Sequence, residues 1–228
     1  MKPESLAGIF LGGTNMHSLK RRAVNLAILA LGAILPAAAA RISTVTASTT
    51  MGSGIATNLV NTVNGVGLDA LTLTANHAST IPTDSWVSAT GTLIGNVDFN
   101  LGGAFLVTSL SFWNQNDGGP GAAGVTGIRG VDIFYSSDNG ANYNLWAGDV
   151  AQFNQVTLSG PVGPQILSAA AVSATNFRFV VLSNWGDTDQ TGFAEVAFDG
   201  SNVPEPATWG IVGLSLLALV IRRSDNKV

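Results

Sequence analysis

Between residues 41 and 203 the sequence has no apolar stripe at the 3.6-residue helical period. It carries short runs rich in β-branched and aromatic residues, punctuated by Gly, Asn, Asp and Pro. That pattern constrains the chain to strands and turns. Val131, Ile133 and Tyr135 alternate with Asp132, Phe134 and Ser136, and Phe177, Phe179 and Val181 alternate with Arg178, Val180 and Leu182. Leu106, Leu110 and Phe112 are expected on one face of a strand, and Ala194, Val196 and Phe198 on one side of another, opposite Glu195. Ser136-Ser137-Asp138-Asn139-Gly140 predicts a hairpin turn, since Asn and Gly tolerate positive φ. The Ala/Ser-rich Leu167 to Ser173 stretch reads as irregular or a short turn of helix, and the glycine-rich Gly118 to Gly124 run as a surface loop. About 160 residues of this kind make one all-β sandwich.

The charges separate along the chain. Residues 41–203 hold three basic residues, Arg41, Arg129 and Arg178, against eleven acids, a net charge of −8, and no lysine. Such a surface repels phosphate, so nucleic acid is not an expected partner. The absence of cysteine excludes a disulfide framework, a thiolate zinc site and a cysteine nucleophile.

The ends carry addresses. Lys20-Arg21-Arg22, the apolar Ala23 to Leu35, Pro36 and the four alanines 37–40 follow the order of a secretory signal peptide. Residues 1–40 are therefore read as a leader with a signal helix, with Met16 as an alternative start, and residues 41–202 as the β-sandwich. Residues 203–228 form a tail: Pro204-Glu205-Pro206 breaks regular structure, Thr208 to Ile221 are fourteen uncharged residues, and Arg222-Arg223 close the segment. As a single transmembrane helix over 208–221 this stretch is about 21 Å long, short against a bilayer core of ~30 Å. It needs local thinning or snorkelling arginines, and the positive-inside rule keeps Arg222 and Arg223 cytoplasmic.

Pro204-Glu205-Pro206, the Gly- and Leu-rich helix and Arg222-Arg223, in that order, resemble the PEP-CTERM sorting tail. The resemblance implies recognition by an exosortase in the inner membrane of a Gram-negative bacterium that makes exopolysaccharide. It also implies transient anchoring there, removal of the tail, and release to the cell surface or extracellular matrix.

The middle resembles the discoidin, or galactose-binding-like, jelly roll. The residues that carry this are Asn64-Gly65-Val66-Gly67-Leu68, His77, Ser85-Trp86-Val87-Ser88, Val97-Asp98-Phe99-Asn100-Leu101-Gly102, Arg129 to Asp138, Ala174 to Phe179 and Phe193-Ala194-Glu195-Val196. Sugar-binding members of that fold usually carry an arginine just after the strand that ends here at Trp113, where this chain has Asn114 and Gln115. The resemblance also implies a structural calcium between the early Asn-Gly loop and a late glutamate, with Asn64, Asp69 and Glu195 as the matching positions and backbone carbonyls making up the number. Hard oxygen ligands suit calcium, and a buried Glu195 needs a positive partner in a domain with few cations.

Sugars are held by aromatic faces under the ring and planar polar groups on the hydroxyls. His77, Trp86, Trp113, Asn114, Arg129 and Trp185 are the candidate ligand contacts, with Trp185, in the polar run Ser183 to Asp187, as a platform. Each also has a structural role open to it: Trp86 and Trp113 as core, Arg129 as partner of an Asp, His77 as a loop residue. Catalysis has less support. His77 is the sole histidine beyond the leader, it has no Gly-x-Ser-x-Gly elbow, and most of the acids sit beside turn residues. The expected function is an exported binding module for extracellular polysaccharide. The alternatives are a structural matrix protein without a sugar site and, third, a carbohydrate-active enzyme.

Overall fold

The computed structural model describes residues 40–117, 124–147 and 152–203. The predicted leader, most of the glycine-rich loop, the sorting tail and its helix lie outside the described residues.

Eight strands are described: β1 (Ala40–Arg41), β2 (Thr46–Thr49), β3 (Trp86–Val87), β4 (Gly95–Asn114), β5 (Ile128–Ser136), β6 (Asn144–Ala147), β7 (Gln165–Asn184) and β8 (Gly192–Asn202). A single 3-10 turn, Leu59–Thr62, is capped by the Asn58 side chain, which accepts from the Val60 N–H. All strand pairings are antiparallel, in the order β1-β8-β4-β7-β5-β6, with β2 added to β4 and β3 to β8.

The two 20-residue strands turn this ladder into a jelly-roll sandwich. The first half of β4 pairs with β2 and the second half of β7; after a break in register between Asn100 and Phe105 it pairs with β8 and the first half of β7. The layers meet over aromatic rings. Phe99 of β4 lies 5.5 Å from Phe198 of β8 and 4.9 Å from Phe179 of β7, both edge-on.

Bulges decide which residues face this core. Before the register shift between Val107 and Ser109 the odd positions Val97, Phe99 and Val107 are buried; after it Leu110 and Phe112 are. Leu106 is therefore 41% exposed and does not share a face with Leu110 and Phe112, because the extra residue inverts the alternation. A second shift, opposite Trp113 and Asn114, sends Ala194 away from Val196 and Phe198. Ala194 packs instead with Trp113, Ala197 and Ala75 in a small outer cluster. The run Leu167 to Ser173 is not helical: it lies within β7, with Leu167, Ser168, Val172 and Ser173 paired to β4 on either side of a bulge at residues 169–171. Its exposed alanines and serines are weak strand formers held by the ladder. The hairpin after β5 is as predicted, with Asn139 and Gly140 at φ of 59° and 85°.

Candidate functional site

At the end of the sandwich where β4 stops and β8 begins, a cavity of about 160 Å³ lies among His77, Phe112, Trp113, Asn114, Asn116, and the 154–165 loop leading into β7. Apart from His77, no lining residue has an ionisable side chain.

The loop is sewn onto the sheet from both sides. His77 and Val162 exchange both backbone hydrogen bonds at 2.9 Å. Phe153 stacks on Phe112 with centroids 3.5 Å apart and planes 11° apart, while its N–H donates to the Arg129 carbonyl. The Asn114 amide donates to the carbonyls of Ile128 at 2.7 Å and Asn154 at 2.9 Å, and its Oδ1 accepts from the Gln115 N–H. Asn114 is thus a strut between β4, β5 and the loop. Gly127 is packed against it, and a Cβ there would lie 2.8 Å from Asn114 Oδ1.

The six candidate sugar contacts separate into three places. His77, Trp113 and Asn114 line the cavity. His77 is buried; Nδ1 lies 2.8 Å from the Ala78 carbonyl, to which it donates, and Nε2 is buried with no protein partner. Trp113 is buried with its indole N–H spent on the Ala75 carbonyl at 2.9 Å. Arg129 and Trp185 form a neighbouring pair, the exposed guanidinium 4.9 Å from the centroid of the half-buried indole. The Trp185 N–H donates to the Phe153 carbonyl at 3.0 Å, so the same loop holds this pair and the cavity wall. Trp86 stands apart. It is fully buried, edge-on to Phe193, and its N–H is shared by the Gly52 carbonyl and Ser53 Oγ.

Sequence reasoning missed Asn116, Asn154, Gln165 and Phe153. Asn116 Oδ1 accepts from the Thr80 N–H and its amide donates to the Gly160 carbonyl; Gln165 Oε1 accepts from the Asn154 N–H. Asn116, two residues past the end of β4 and beside Asn114, was the available signal, since a buried amide in a loop serves as a backbone substitute.

The candidate calcium ligands do not converge. Asn64 and Asp69 are exposed and their side-chain oxygens are committed locally, Asn64 Oδ1 to the Val66 N–H and both Asp69 oxygens to Asn76. Glu195 is fully buried beneath the 63–65 loop, and its positive partner is Arg41, with Nη2 2.6 Å from Oε1. The Gly65 N–H donates to the same oxygen at 3.0 Å. Burial holds the Glu195 carboxyl above the ordinary carboxylate range, against the pull of Arg41 and the Gly65 N–H. Of the side-chain oxygens of these three residues only Glu195 Oε2 has no partner, so the side chains as placed, with Oε1 taken by Arg41 and the Gly65 N–H, do not form a site for an ion that takes six to eight oxygens. Among the described residues no group of three or more His, Cys, Asp or Glu converges on a point.

Comparison with known proteins bears on both parts of the chain. Residues 202–224 match the model of the PEP-CTERM protein-sorting motif, a C-terminal sorting signal of exported proteins. No curated protein matches the chain. Among solved structures, a carbohydrate-binding module, CBM32-3, from a family 31 glycoside hydrolase of Clostridium perfringens superposes with a TM-score of 0.51 at 20% identity, over 71% of this chain and 94% of that one. The family 32 module of C. perfringens NanJ, solved in complex with galactose, gives 0.49 at 17% identity, over 71% and 98%. An F5/8 type C domain from Bacteroides fragilis gives 0.48 at 16% identity, over 73% and 97%. The fold is a discoidin-like jelly roll, and residues 202–224 carry a sorting motif.

Proposed function

We propose that this chain is an exported surface module that binds neutral glycan at the cavity between β4, β8 and the 152–165 loop. We further propose that its tail is removed by an exosortase as it leaves the inner membrane for the cell surface or matrix. The observation that carries the binding role is the cavity beside His77. Apart from that ring its walls are aromatic, aliphatic and amide groups with no formal charge, and the exposed Arg129–Trp185 stack is fastened to the loop that forms one wall. A hydroxylated ligand can exchange hydrogen bonds with amide groups such as those of Asn114, Asn116 and Gln165, and the indole offers the apolar surface sugar rings rest on. The acidic surface of the domain disfavours uronate-rich polymers and leaves neutral ones.

The test is a glycan array probed with the full chain in detergent, followed by titration calorimetry on any hit. Saturable binding to neutral glycans, lost in Trp185→Ala and weakened in His77→Gln, supports the reading. A structural matrix role is the second reading. It is favoured by the internal use of the Trp86, Trp113 and Asn114 polar atoms, which leaves few groups pointing outward. No binding to any glycan, with a folded protein, favours that role and sinks the first.

A further inference from the structure

The cation position between the 63–65 loop and β8 is filled from within the chain. Arg41, in the short strand beside β8, donates from Nη2 to Glu195 Oε1 at 2.6 Å and to the Val63 carbonyl at 3.3 Å. Its side chain is 11% exposed and that of Glu195 is fully buried. A backbone carbonyl and a buried carboxylate are the oxygen pair a hard cation would bridge, and here a guanidinium bridges them. Calcium sits about 2.3–2.6 Å from its oxygens, so an ion on Oε1 would overlap the arginine nitrogen.

We propose that the Arg41 guanidinium takes the place the discoidin resemblance gives to calcium, so that the domain fastens its early loop to its last strand with a tethered, internal cation and needs no divalent ion. The remaining side chains agree. Asn64 and Asp69, which a metal would recruit, point into the solvent-exposed turns they cap. Unlike a bound ion, a guanidinium on the chain cannot be stripped by chelating anions, and its local concentration is fixed by the strand that carries it. Arg41 also joins the first described strand to β8 by side chain as well as by backbone, closing the ladder where the chain enters the domain.

The test is thermal unfolding of the full chain in detergent, followed by circular dichroism, in millimolar calcium and in EDTA. Wild type is expected to unfold at the same temperature in both. Arg41→Met is expected to lower the midpoint by roughly ten degrees, because it strips a buried carboxyl of its partner. The double variant Arg41→Met/Glu195→Gln, which leaves no charged group in the pocket, is expected to recover most of that loss. If Arg41→Met does not fold, recovery of folding in the double variant carries the same information. A calcium-dependent rise in the wild-type midpoint, an Arg41→Met midpoint equal to wild type, or a double variant as damaged as the single one would each overturn the proposal.

Discussion

Phe153 is the point at which the cavity loop depends on the core. Its ring is fully buried, stacked on Phe112 and within 6.0 Å of Phe179. Its backbone receives the Trp185 indole N–H and donates to Arg129. Replacing it with alanine removes a whole ring from a packed core, which costs about 3–5 kcal/mol when the surroundings relax only in part. A domain of this size holds a net stability of about 5–15 kcal/mol. Each kcal/mol moves the unfolding midpoint by roughly 2–4 °C, so the fall should be roughly 6–20 °C.

The consequence reaches beyond stability. With the ring gone, the loop loses its one side chain in the core stack, and the carbonyls of Phe153 and Asn154 lose their fixed relation to Trp185 and Asn114. The assay is thermal unfolding by circular dichroism, alongside Leu158→Ala in the same loop as a control. Leu158 is 71% exposed, and its truncation should stay within about 0.5 kcal/mol of wild type. A Phe153→Ala midpoint no lower than that of the control would refute the reasoning, because it would mean that the stacked ring does not hold the loop.

Asp138, exposed in the hairpin, accepts from Ser136 Oγ at 2.6 Å and from the Asn142 N–H at 2.9 Å, which pulls its carboxyl from 3.8 down to about 2. A depressed folded value means that its stabilising contribution is present above the ordinary carboxyl range and lost as pH falls through about 2; the stability gap between wild type and Asp138→Asn should close over that window in urea titrations. Gly127→Ala should cost about 1–3 kcal/mol by driving a Cβ into the fixed Asn114 amide, and far less in an Asn114→Ala background, as denaturant midpoints of the four proteins would show. If Arg41 is the internal cation, the exported protein must retain it, so N-terminal sequencing should find a start at or before Arg41; a start beyond it would contradict the assignment.

The strands were legible because one face of each is buried and the other is not, and that gives period 2. The two places where the reading inverted, Leu106 and Ala194, sit beside bulges. A bulge adds one residue without a compositional mark, so sequence alone carries the old parity through it. Leu167 to Ser173 misled for another reason: alanine and serine have little strand propensity, and the hydrogen bonds that hold them come from β4, more than fifty residues earlier. Within the site, Trp185 was legible as a residue in a polar loop. Trp86 and Trp113 were ambiguous because an indole at a strand end looks the same whether its N–H meets a carbonyl or a ligand. The Arg41–Glu195 pair spans 154 residues. The sequence showed that Glu195 needed a positive partner, but separation along the chain hides which group folds back to supply it.

The direction of β8 gives the separate features one geometry. Its first residues lie beside the cavity, with Phe193 opposite Asn114. Its last residues lie where the domain's ends emerge, with Ala40 opposite Gly200 and Phe105 opposite Asn202. Nine residues of strand separate Phe193 from Asn202, about 30 Å at ~3.3 Å per residue. The domain's first and last described residues therefore share one pole, and the cavity occupies the other. On the function proposed here, a module held by either end meets its ligand at the far pole without the attachment competing for the site. Arg41 and Glu195 lie between the poles along the outer face of β8. Their pairing fastens the strand nearest the attached end to the 63–65 loop, and that loop leads through residues 67–77 into the cavity wall at His77.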